Sequence, residues 1–164
     1  MQRNHVFAAA LIGVTALIFG VASAGPSVQP QVNAESADPV PITVYRNPSC
    51  NCCKAWVNHL KNNGFHVEDI VTPDVAAKKR ELGLPAQLAS CHTAVVNGYI
   101  IEGHVPADDV KRLLRLKLDV AGLAVPGMPA GSPGMETSGP PDQFDVIAFD
   151  NAENLSTFNR YPAQ

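Results

Sequence analysis

Pro41-Ile42-Thr43-Val44-Tyr45-Arg46-Asn47-Pro48-Ser49-Cys50-Asn51-Cys52-Cys53-Lys54 opens on a short alternating run and closes on three of the chain's four cysteines. The alternation from Pro41 to Tyr45 predicts a strand. After the cysteines, Trp56, Val57, Leu60 and Phe65 recur at roughly helical intervals. The cysteines therefore stand where a strand ends and a helix begins. Helix starts present outward amides and favour anions. A thiol placed there ionises more readily, from a pKa of about 8.5 towards roughly 3.5–7.5. The thiolate is the form that attacks disulfides and binds soft metals.

Working outward, the helix is expected from about Cys50 to Asn63, closed by Gly64. Phe65 to Val71 alternates as a second strand, and the crossover makes the two strands parallel. Thr72 is the expected N-cap of a helix from about Asp74 to Leu82, with Pro73 in its first turn. Lys78-Lys79-Arg80 reads as a solvated helix face. A third strand follows Ser90-Cys91-His92-Thr93. Asn97-Gly98 signals a tight hairpin into Tyr99–Glu102. Gly103-His104-Val105-Pro106 leads into a helix from Ala107 to about Leu118, with Val110, Leu113, Leu114 and Leu118 on one face. Ala121 to Pro141 reads as one long Gly/Pro loop carrying Met128 and Met135. Phe144–Phe149 is a last strand, and Leu155, Phe158 and Tyr161 dock the tail. The expected order is β-α-β-α-β-β-α with one added C-terminal strand, in one domain spanning 41–164.

The N-terminus reads as an export signal, residues 1–24. Arg3 precedes an uncharged apolar run from Val6 to Val21, and Ala22-Ser23-Ala24 supplies small residues for cleavage. Residues 25–40 are Pro-, Gln-, Ser- and Ala-rich and read as a flexible tether. Without the signal, no stretch is apolar and long enough to hold the chain in a membrane. Net charge is −3, with basic residues dispersed, which argues against a nucleic-acid partner. Export places the cysteines in an oxidising compartment. Sequence alone does not choose their pairing.

This order, with Cys50-Asn-Cys-Cys53 after the first strand, resembles the thioredoxin-like superfamily: an α/β fold with a central mixed sheet flanked by helices. The resemblance places His92 where that superfamily carries a cis-proline packed against the active-site cysteines. Cys91 and His92 are therefore expected near Cys50, Cys52 and Cys53. Histidine in place of the shielding proline sets a metal ligand beside the thiolates. Four motifs together resemble the CopG-type family of exported copper-handling proteins. They are the Cys-x-Cys-Cys run, Ser-Cys-His-Thr, Glu-Gly-His-Val-Pro, and the loop from Val125 to Met135. None is missing, and Asn51 fills the variable position. The family implies a periplasmic location, a cysteine-rich copper site, copper resistance and copper redox conversion.

The expected ligands are Cys50, Cys52, Cys53, Cys91, His92, His104, Met128 and Met135. The expected cargo is copper, as Cu(I), with room for more than one ion; thiolate and thioether sulfur suit that ion. The expected partners are copper ions and another periplasmic copper or redox protein. On a regular helix Cys50 and Cys53 share a face and Cys52 points elsewhere, so convergence of all three needs an irregular turn. His59 and His66 read as surface residues and Trp56 as core. The alternative function is a thiol–disulfide oxidoreductase in which Cys50 attacks and Cys53 resolves. An arsenate-reductase-like enzyme, suggested by Tyr45-Arg-Asn-Pro-Ser-Cys50, and a structural zinc site are further alternatives.

Overall fold

The computed structural model describes residues 38–163. The expected export signal and residues 25–37 of the tether lie outside the described residues. Among those described, no helix is long and apolar enough to cross a membrane. The elements are β1 (Val40–Arg46), α1 (Asn51–Asn62), β2 (Phe65–Val71), α2 (Val75–Glu81), a 3-10 turn (Ala86–Leu88), β3 (His92–Val96), β4 (Tyr99–Gly103), α3 (Ala107–Leu116), β5 (Gly122–Val125), β6 (Phe144–Phe149) and β7 (Leu155–Tyr161). The first seven helices and strands follow the expected order.

All strands join one mixed sheet in the order β2-β1-β3-β4-β5-β6-β7. The β1–α1–β2 crossover makes β1 and β2 parallel. β3 runs antiparallel to β1, and Asn97-Gly98 turns it into antiparallel β4. Both turn residues have positive φ, 47° and 85°, which suits an Asn-Gly hairpin. Arg46 closes the end of β1 with two 2.8 Å bonds from its guanidinium to the Asp69 carboxylate on β2. That bidentate contact lies beside the turn that carries the cysteines.

Alternation divides the sheet into two faces. On one, α1 buries Cys53, Trp56, Val57 and Leu60, and α3 buries Val110 and Leu113. All of these but Cys53 pack with Ile42, Val44, Ile101 and Leu123 into the main core. Each large apolar side chain buried there contributes about 1.5–3 kcal/mol. Ile100 and Ala124 belong to a smaller cluster with Leu88 and Phe149.

Several boundaries differ from the sequence expectation. Asp74, not Thr72, caps α2: its carboxylate accepts from the Ala77 amide at 2.8 Å. A carboxylate next to the first turn also complements the helix dipole. α3 stops at Leu116 because Lys117 adopts a left-handed φ of 48°. The expected long loop contains a strand: β5 pairs parallel with β4 and antiparallel with β6. The tail does not merely dock; it forms β7 against β6. So three strands, not one, extend the sheet past α3. The connection left without strand or helix runs from 126 to 143.

Candidate metal centre

Cys50 is the N-cap of α1 rather than its first helical residue. Its backbone is extended (φ −87°, ψ 100°), and its sulfur accepts from the Cys53 amide at 3.3 Å. This is the irregular turn that convergence requires. Because Cys50 lies outside the helix, Cys52 reaches the same side: its Sγ is 3.4 Å from Cys50 Sγ and 3.9 Å from Cys91 Sγ. All four cysteine sulfurs lie within 4.8 Å of one another. Cys53 is fully buried, while the other three are partly exposed. Cys50 and Cys53 are joined as a disulfide; Cys52 and Cys91 are free thiols. In this oxidised state Cys50 and Cys53 bond to each other, and either becomes a thiolate ligand only on reduction.

A second group overlaps the first. Cys91, His92 and His104 also place one donor atom each within 4.8 Å of one another. Cys91 stands just before β3 and His104 just past the end of β4, so the hairpin brings them together. His104 Nε2 is 3.5 Å from Cys91 Sγ. Its other nitrogen, Nδ1, is 2.8 Å from the Pro133 carbonyl. A carbonyl only accepts, so Nδ1 carries the hydrogen and the Nε2 lone pair faces the sulfurs. An outer partner that fixes a histidine tautomer is the usual support for a metal ligand. His92 is fully buried; its ring packs on Trp56 at 4.4 Å and meets His104 edge-on at 4.9 Å. Its Nδ1 is 3.9 Å from Cys91 Sγ, and its Nε2 has no hydrogen-bond partner.

The methionine loop folds back over this site. A short turn joins the Met135 amide to the Ser132 carbonyl, 2.8 Å, and the Gly131 amide to the Met135 carbonyl, 2.9 Å. Gly134 presses on the first turns of α1: a Cβ there would lie 2.8 Å from the Trp56 amide nitrogen and 2.9 Å from the Cys52 carbonyl oxygen. Its φ is +86°, a region that suits glycine. Met135 is partly buried beside this contact, whereas Met128 is 57% exposed. Met128 lines a cleft of about 300 Å³ with Ala89, Ser90, Gly127 and Cys91. Gly134→Ala should destabilise the protein by about 1–3 kcal/mol by combining strain and overlap. An unchanged urea midpoint would show that the loop does not bear on α1.

The sequence search matches the family model described as "Protein of unknown function, DUF411" over residues 88–135. Two solved structures, "Copper resistance protein copG- Form 2" and "Form 1", each superpose with a TM-score of 0.72 at 46% identity. They cover 76% of this chain, and it covers 99% and 98% of theirs. This chain belongs to the CopG family. No curated protein sequence matches it. The CopG-type resemblance carried by the cysteine, histidine and loop motifs thus holds over nearly the full length of both structures.

Some features around the site were not visible in the residue pattern. Lys79 does not belong to a solvated face; it is 9% exposed and pairs with the fully buried Glu102. The signal was its spacing, four residues after buried Val75. His59 is not a simple surface residue: it is half-buried, and its Nε2 accepts from the Ala107 amide at 3.0 Å, closing the start of α3. His66 is exposed, as expected.

Burial lowers the pKa of His59, His104 and, most strongly, His92. Each is depressed below its ordinary value of 6.5, so the neutral ring is the form the fold favours. Their contribution is full above the unfolded value and is lost as pH falls through the folded values. The metal-free protein should therefore unfold at lower urea concentration at about pH 5 than at about pH 7. A midpoint that rises on acidification would contradict this assignment of the histidines.

Proposed function

We propose that this chain is an exported, periplasmic copper-binding protein that acts in copper resistance. It holds Cu(I) through Cys50, Cys52, Cys53 and Cys91, with His92 and His104 completing the donor set. The observation that carries this is the convergence of four sulfurs with an imidazole lone pair already turned towards them. Soft sulfur favours Cu(I), and thiolates can bridge more than one ion. Met128 and Met135 add thioether donors from the loop that covers the site. Both similar structures carry the name copper resistance protein.

The same cysteines support redox conversion. Oxidation of the Cys50/Cys53 dithiol to the disulfide releases two electrons and two protons. Two Cu(II) ions taking one electron each become two Cu(I), which the remaining thiols and imidazoles hold. A periplasmic reductant of the dithiol class would restore the thiols. Burial pushes the Cys91 thiol up, so in the metal-free protein it keeps its proton until copper displaces it.

A thiol–disulfide oxidoreductase remains the second reading, favoured by the Cys50–Cys53 bond with Cys50 on the more accessible side. One experiment separates the two. The reduced protein is prepared without oxygen, and bound copper per chain and Cu(I) affinity are measured, with His92→Pro alongside. Copper at background levels would end the first reading. Disulfide exchange that survives replacement of both Cys52 and Cys91 would favour the second.

A further inference from the structure

Cys91 is held from behind by a buried ion pair. Glu102, on β4, is fully buried and accepts at Oε1 from the Ser90 amide and from Lys79 Nζ. Lys79, on α2, also donates to the His92 carbonyl at 3.1 Å. The residues before and after Cys91 are therefore tied to two side chains that are bonded to each other. Ser90 is fixed at a third point, since its Oγ donates to the Gly127 carbonyl at 2.7 Å.

The position of this pair in the sheet is informative. Thr93 and Glu102 are register partners on β3 and β4. His92, one residue before Thr93, packs instead on Trp56 of α1. The ion pair thus grips the backbone from the α2 side, while the ligand side chains project towards α1. Stability alone is a weak reason for such a pair, because desolvation offsets much of the attraction and apolar replacements are often neutral. Glu102 Oε2 and Thr93 Oγ1 are buried without hydrogen-bond partners, a further cost at this position. What the pair does supply is a fixed backbone on both sides of one sulfur.

We propose that Lys79 and Glu102 are positioning residues for metal capture. They hold the Cys91 backbone so that Sγ faces Cys52 Sγ and His104 Nε2 before the metal arrives. The inference rests on the copper-binding function proposed above. It concerns outer contacts that orient a ligand, whose loss typically weakens metal affinity about 10- to 100-fold.

The test is a double-mutant cycle on Cu(I) affinity, read by competition with a chromophoric Cu(I) chelator on reduced protein. Glu102→Gln is made in the wild-type and in the Cys91→Ser backgrounds. The expected result is a loss of about 10- to 100-fold when Cys91 is present and none when it is absent. Equal losses in both backgrounds would overturn the inference, because the pair would then act on the fold and not through Cys91. Should Glu102→Gln fold poorly, Lys79→Met with Glu102→Met removes both charges together and leaves no unpaired charge, while still releasing the Ser90 amide and the His92 carbonyl; the same dependence on Cys91 is expected. Lys79→Arg keeps a donor for both acceptors and should retain most of the affinity. If the wild-type protein bound no Cu(I), the copper-binding function would fall and the inference with it. Intact wild-type affinity without the coupling would overturn the inference alone.

Discussion

Cys91→Ser should weaken Cu(I) binding by more than about 100-fold, beyond the range of an outer-contact change. Cys91 is the one residue shared by the four-cysteine group and the Cys91–His92–His104 group. Its sulfur stands 3.9 Å from Cys52 Sγ and 3.5 Å from His104 Nε2. Removing it leaves the α1 thiols without their link to the imidazoles. Serine nearly preserves the shape but replaces soft sulfur with hard oxygen, which Cu(I) binds poorly. The fold should barely notice, since Cys91 is partly exposed and belongs to neither core cluster. A change in unfolding free energy within about 0.5 kcal/mol is expected. Cu(I) competition titration beside urea unfolding measures both; wild-type affinity in the variant would remove Cys91 from the site.

Trp56→Ala carries the largest expected stability loss, about 3–5 kcal/mol. That is a large part of the roughly 5–15 kcal/mol by which a domain is stable. Trp56 is fully buried on α1, and its indole nitrogen donates to the Val105 carbonyl at 2.9 Å. It therefore ties α1 to the segment between His104 and α3. Its ring also backs His92. The truncation leaves a cavity, an unpaired carbonyl and a loosened imidazole together. Trp56→Phe keeps much of the packing and loses the hydrogen bond, so about 1 kcal/mol of its loss is assignable to that bond. Urea unfolding of both variants gives the values. A loss below about 1 kcal/mol for Trp56→Ala would show that the core closes over the gap.

The first half of the fold was readable because its signals agree. Pro41–Tyr45 and Phe65–Val71 alternate, Trp56, Val57 and Leu60 follow a helical period, and Asn97-Gly98 has a turn chemistry of its own. Gly122-Leu-Ala-Val125 reads as loop in the sequence for a physical reason. All its residues are buried, so it shows no alternation, and glycine and proline surround it. Leu155–Tyr161 is an edge strand with little burial, and its pattern is correspondingly faint. At the site, the cysteines and histidines announced themselves by type and spacing. Their supports did not. The Pro133 carbonyl that sets the His104 tautomer is backbone, which any residue provides. Lys79 and Glu102 meet only because α2 packs against β3, the neighbour of the β4 strand that carries Glu102.

The methionine loop leaves the sheet at the end of β5 and re-enters at β6, which pairs directly with β5 through Ala124 and Ile147. Its two ends are held at neighbouring-strand spacing by bonds that the loop itself does not make. For such a closed segment, doubling the length adds only about 0.6 kcal/mol of closure entropy. Apart from Pro133 and Gly134, which meet His104 and α1, the loop is therefore an exchangeable cassette: it can be lengthened, shortened or recomposed while the four cysteines and the sheet beneath it stay the same.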